Sequence, residues 1–236
     1  MTIRRQLDPA LPTTFRAMGG SVEGRVEGPV ALSALQFVAE DRATAVVLPG
    51  GRRVRTVEHL FAAIVGLGAW SGLAVEVDGP EVPLLDGCAA TFVAMIDEVL
   101  GPQAPSGQLS PRPTSRWPGH GQGRPPHDGD CVVGPPRPTP LVIAREGTTL
   151  ELYEGEGISV EIEVDYPVER FGRVLRGTAR WNGSSEVFRQ EIAPARTFGA
   201  VRELTELRRR GLASFVPEGV VVALDSEVAA WAPSDP

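Results

Sequence analysis

Cysteine is nearly absent from this 236-residue chain: only Cys88 and Cys131 occur. Two thiols make no disulfide framework, and they suit a reducing compartment. No basic run is fit to follow a phosphate backbone, and the net charge is −7. Nucleic acid is therefore not expected as a partner. No apolar stretch follows the charges of Met1-Thr2-Ile3-Arg4-Arg5, so no signal peptide is expected. The longest apolar run, Leu60 to Trp70, is too short to cross a bilayer and contains two glycines. These features predict a soluble cytoplasmic protein. A hydrophobic content of 42% supports a packed core.

Proline and glycine are unevenly spread. Residues 101–140 hold 11 of the 22 prolines and 7 of the 27 glycines. Such a stretch keeps no hydrogen-bond ladder and buries little apolar surface, which predicts a linker or insertion over 103–140. It separates an N-terminal unit, 1–102, from a C-terminal unit, 141–236.

Periodicity predicts an α+β architecture. One helix starts at Thr56 and sets Val57, Leu60, Phe61, Ile64 and Val65 on one face. A second follows Asp86 as its cap, carries Ala89, Phe92, Val93, Ile96 and Leu100, and stops at Gly101-Pro102. Leu73, Val75 and Val77 alternate as a strand should, and strands are also expected over 22–26, 32–38 and 43–48. In the second unit, Ile158, Val160, Ile162 and Val164 alternate with Ser159, Glu161, Glu163 and Asp165 as a half-buried strand, with Leu150 and Leu152 in its neighbour. A helix is expected from Phe198 to Arg210, with Val201, Leu204 and Leu207 inward, and a buried strand over 220–224.

The chemistry-bearing run is Thr56-Val57-Glu58-His59-Leu60. Imidazole is a common zinc ligand, and a carboxylate beside a metal-bound water is a natural general base. The same run also reads as a plain helix start, with Thr56 capping and Glu58 complementing the positive helix end. Further along stand Glu81-Val82-Pro83-Leu84-Leu85-Asp86-Gly87-Cys88-Ala89-Ala90 and Ala195-Arg196-Thr197-Phe198-Gly199. Arg202-Glu203-Leu204 and Arg210-Gly211-Leu212 follow.

In this order and spacing the blocks resemble the UDP-3-O-acyl-N-acetylglucosamine deacetylase family, zinc hydrolases of lipid A biosynthesis. The resemblance is close over 54–100 and 187–212, and absent over roughly 103–138. It implies two similar layered domains, each a sheet backed by helices, with the site between them and the second domain incomplete. It implies Zn as cofactor, His59 as a zinc ligand, Glu58 as general base and Thr197 as a hydrogen-bond donor to the oxyanion. Phe198, with Leu204, would bind the substrate, a UDP-sugar carrying an acyl chain.

The family's other zinc ligands, a histidine and an aspartate, come from a later HKxxD helix, and a further histidine is its general acid. No such segment is found here. His120 and His127 lie in the Pro/Gly stretch, which offers no fixed geometry for a metal. The N-terminal signature has only an echo at Met18-Gly19-Gly20. Three readings stay open: a C-terminally truncated deacetylase, an inactive paralogue that binds sugar nucleotide or lipid, and an unrelated interaction domain. An incomplete second sheet would leave an apolar face through which copies could associate.

Overall fold

The computed structural model describes residues 1–18, 28–40, 43–101, 141–145, 147–153, 158–167, 171, 175–209 and 220–224. The expected linker 103–140, the expected strand 22–26, His120, His127, Cys131 and the segment 210–219 lie outside these residues.

The fold is α+β. In chain order come β1 (Thr2–Arg5), β2 (Thr14–Met18), β3 (Val30–Ala31), β4 (Gln36–Glu40), β5 (Ala43–Val47), β6 (Arg53–Arg55), α1 (Glu58–Gly66), β7 (Leu73–Asp78) and α2 (Ala90–Leu100). Strands β1-β7-β2-β3 form one mixed sheet in that order, with β7 antiparallel to β1 and parallel to β2. A parallel pair needs a long crossover. Here the crossover contains the antiparallel meander β4-β5-β6 and then α1.

Alternation along β2 and β7 turns Phe15, Ala17, Leu73, Val75 and Val77 inward. They meet Leu60, Ala63 and Ile64 of α1 and Phe92, Val93 and Ile96 of α2 in one core. Each such large side chain, fully buried, contributes roughly 1.5–3 kcal/mol. Gly101, at φ +81°, ends α2 as its sequence suggests.

The second half supplies the hairpin β8 (Leu141–Arg145) and β9 (Thr148–Leu152), and the hairpin β10 (Val160–Tyr166) and β11 (Leu175–Trp181). A short α3 (Ser185–Val187) runs into a π-helical turn, Phe188–Ile192. Then come β12 (Phe198–Ala200), α4 (Val201–Arg209) and β13 (Val222–Leu224), with β12 and β13 parallel. No helix among the described residues is long and apolar enough to cross a membrane.

Several local expectations need correction. Thr56 does not cap α1: it sits at φ +58°, and Val57 is the N-cap with no side-chain bond. The first turn is tied to β5 instead, through Val57 N–H donating to Thr44 O at 3.2 Å. Asp86 is not the N-cap of α2, which is Ala89; its carboxylate accepts from Cys88 N–H in the preceding turn and from Thr91 Oγ1 within the helix. Residues 32–34 are a 3-10 turn, and the strand starts at Gln36. Phe198–Ala200 is a strand, because its backbone is taken up by β13, and the helix begins only at Val201. Leu150 and Leu152 pair with β8 rather than β10. The strand over 160–166 is not half-buried: Val160 and Ile162 stand 42% and 52% exposed, since among the described residues its hairpin is two strands wide.

The second half is nevertheless anchored to the first. Phe188 and Ala193 lie in the main core, Arg189 forks onto Asp97 at 2.8 and 3.3 Å, and Ala89 N–H donates to Ala193 O at 2.9 Å. The Phe188 ring lies on Gly66, where an added Cβ would sit 2.3–2.4 Å from three ring atoms. Helix propensity alone favours Gly66→Ala by about 1 kcal/mol. The seat reverses that sign. Gly66→Ala is expected to lower stability by about 1–3 kcal/mol in urea unfolding, the usual cost of overpacking. A gain in stability would show that Phe188 is not seated there.

Candidate functional site

One residue from each of the two motifs meets the other. His59 stands in the first turn of α1, and Thr197 immediately precedes β12. Their side chains are 138 residues apart in sequence, and His59 Nε2 lies 2.8 Å from Thr197 Oγ1. One of the two groups donates and the other accepts, as the imidazole tautomer dictates.

Thr197 reaches that place because its backbone is held on both sides. Its N–H donates to Gly87 O at 2.8 Å, and its carbonyl accepts from Val222 N–H at 2.8 Å. Gly87 belongs to a tight turn closed by its own N–H donating to Leu84 O at 2.9 Å, with positive φ at Leu85 and Gly87. The approach to this turn is set by β6, since Arg55 N–H donates to Pro80 O and Val82 N–H donates to Arg55 O, both at 2.9 Å. The strand that leads into Glu58-His59 thus also aligns the turn that receives Thr197.

Glu58 is half-buried, and its Oε2 accepts from Thr44 N–H at 3.3 Å. One backbone donor leaves most of the carboxylate's acceptor capacity free. His59 is half-buried too. Burial pushes its pKa below the ordinary imidazole range, with the charges of Glu58 and Asp86 opposing the shift. A neutral imidazole is the form that ligates metals.

Asp86 joins this corner, although its place in the sequence suggests only a helix cap. Burial raises its pKa, but hydrogen bonds from Thr91 and Cys88 outweigh this and hold the carboxyl below its ordinary value. Thr91 Oγ1 donates at 2.8 Å and Cys88 Sγ at 3.3 Å, both to Oδ2. The buried Cys88 thiol is pushed up by burial and by the Asp86 charge, so it stays protonated. The Asp-Gly pair in a turn is the available sequence signal for this corner.

Phe198 is 42% exposed and lies in an aromatic group, its ring 6.1 Å from Tyr166 and 5.9 Å from the buried Phe171. Leu204 of α4 is partly buried and packs over Gly199. These apolar surfaces continue directly from Thr197 along the chain.

Among the described residues, no group of three or more His, Cys, Asp and Glu side chains could hold a metal ion. His59 offers one imidazole and Glu58 one carboxylate, which is short of the three protein ligands of a catalytic zinc.

A family model described as UDP-3-O-acyl N-acetylglycosamine deacetylase matches residues 7–107 and 137–230. The UDP-3-O-acyl-N-acetylglucosamine deacetylase of Acidithiobacillus ferrooxidans is 35% identical over 183 residues, covering 75% of this chain and 49% of that protein. That of Myxococcus xanthus is 34% identical over 189 residues, covering 78% of this chain and 50% of that protein. That of Syntrophotalea carbinolica is 31% identical over 211 residues, covering 89% and 58%. The chain spans about half the length of the curated relatives it matches.

With so few donors among the described residues, zinc binding is expected to be weak. After dialysis, elemental analysis should find well under one zinc per chain. Near-stoichiometric zinc that disappears in His59→Ala would contradict this.

Proposed function

The chain belongs to the UDP-3-O-acyl-N-acetylglucosamine deacetylase family, and from that premise we propose that it hydrolyses the N-acetyl group of UDP-3-O-acyl-N-acetylglucosamine. This is a hydrolase step of lipid A biosynthesis. The observation that carries the proposal is the 2.8 Å approach of His59 and Thr197, which brings two separately matched motifs to one place. In this reading the α+β units 1–102 and 141–236 contribute Glu58-His59 and Thr197-Phe198 respectively.

Amide hydrolysis requires an activated water and a donor to the oxyanion that forms on the carbonyl. Glu58 has the free acceptor capacity to take a proton from water. Thr197 carries a hydroxyl whose backbone is fixed at both ends, and its one proton is available to an oxyanion when His59 Nε2 is the donor in their contact. Phe198 and Leu204 offer apolar surface to an acyl chain, each buried methylene being worth roughly 0.8 kcal/mol. Zinc, when bound, would polarise the acetyl carbonyl and acidify water, with His59 as one ligand. The described residues do not complete its ligand set.

In a second reading the chain binds the acylated sugar nucleotide without hydrolysis. Acetate release from UDP-3-O-acyl-N-acetylglucosamine, measured with zinc in excess, separates the two. The deacetylase reading predicts turnover that Glu58→Gln lowers by roughly 100- to 10,000-fold, as loss of a general base does. Thr197→Ala should lower it by up to roughly 100-fold through loss of one oxyanion donor. Saturable binding with no acetate release would establish the second reading instead.

A further inference from the structure

We infer that Gly87 is a positioning residue, the one whose missing side chain allows Thr197 to stand against His59. This rests on the reading of His59 and Thr197 as site residues, but its geometry can be tested without any activity.

A side chain at position 87 would have no room. A Cβ built on Gly87 would lie 2.2 Å from Val220 O and 3.1 Å from both Val220 C and Val220 Cγ1. The nearest clash is with backbone, so no rotamer change relieves it. Gly87 also has φ +79°, a conformation that L side chains rarely adopt.

The two segments that would be pushed apart are the ones that hold Thr197. Gly87 O accepts its N–H, and Val222 N–H, two residues beyond the clash, donates to its carbonyl. Both backbone groups of Thr197 therefore hang on the closeness of Gly87 to Val220. Moving the two strands of chain apart must break one bond or drag Thr197 with it. The hydroxyl has no slack, being 2.8 Å from His59 Nε2. Catalytic geometry tolerates only small displacements, so this corner would govern how well an oxyanion donor is aimed.

The test is the imidazole 15N spectrum of the full chain, metal-free and at one fixed pH. Thr197→Ala provides the spectrum of His59 without its hydroxyl partner, and Thr197→Ser should keep the native His59 signals. Gly87→Ala is expected to give His59 the Thr197→Ala signals. Gly51→Ala is the control: Gly51 has a similar φ of +87° but open space around its missing Cβ, so it carries the strain without the clash. It should leave His59 unchanged. A folded Gly87→Ala protein with native His59 signals would overturn the inference. If Gly87→Ala does not fold, hydrogen exchange in the unaltered protein decides. The Thr197 amide should be protected like the Ala89 amide bonded to Ala193. Exchange of the Thr197 amide at the free-chain rate would overturn the inference. Should acetate release never be seen, these spectra still report on Gly87 alone.

Discussion

The meeting of Thr197 with His59 depends on a backbone constraint: Thr197 is clasped between the carbonyl of Gly87 and the amide of Val222. A hydroxyl on a freely moving segment would hydrogen-bond to water. Held at both backbone groups, this one faces His59, and ordering it has already been offset by folding. The clasp works because it joins two different supports. Gly87 sits on a turn aligned by β6, and Val222 opens β13, which lies parallel to β12. Around it, the Phe188 ring on Gly66 and the Arg189 fork on Asp97 fasten the same part of the chain to α1 and α2. Contacts from four elements thus set one interatomic distance.

The polar groups sit at the edge of the main apolar core, and their environments differ in a useful way. Leu60 is fully buried, whereas its predecessors Glu58 and His59 are only half-buried. Partial burial biases His59 toward the neutral form while leaving it reachable. Glu58 is steadied by a single backbone donor, and Asp86 is satisfied by Thr91 and Cys88. Two carboxylates near one imidazole therefore differ in role. Asp86 is committed to Cys88 and Thr91, and Glu58 keeps most of its lone pairs free.

Much of this is legible in the amino-acid sequence, and the limits have physical causes. The apolar stripes of α1 and α2 and the alternation of β7 are local periodicities, so the core residues Leu60, Ile64, Phe92, Ile96 and Val75 follow from spacing. Capping by Thr56 and Asp86 does not hold, because both side chains serve other contacts that spacing does not show. Thr56 Oγ1 reaches Glu81, and Asp86 accepts from the Cys88 and Thr91 side chains. Helical periodicity extends back to Phe198, but pairing with β13 pulls that segment into a strand. Glu58, His59, Thr197 and Phe198 stand out through their motifs. That His59 and Thr197 touch cannot be read from residues 138 apart, nor can the demand for glycine at 87, which arises only when Val220 folds against it.

The central claim is that the Thr197 side chain bonds to His59 across the two halves of the chain. A double-mutant cycle in urea unfolding, built from His59→Ala, Thr197→Ala and the double variant, measures that bond directly. A part-buried hydrogen bond predicts a coupling energy of about 0.5–1.5 kcal/mol. Additive losses, with coupling indistinguishable from zero, would mean that the two motifs do not meet and that the site as described does not exist.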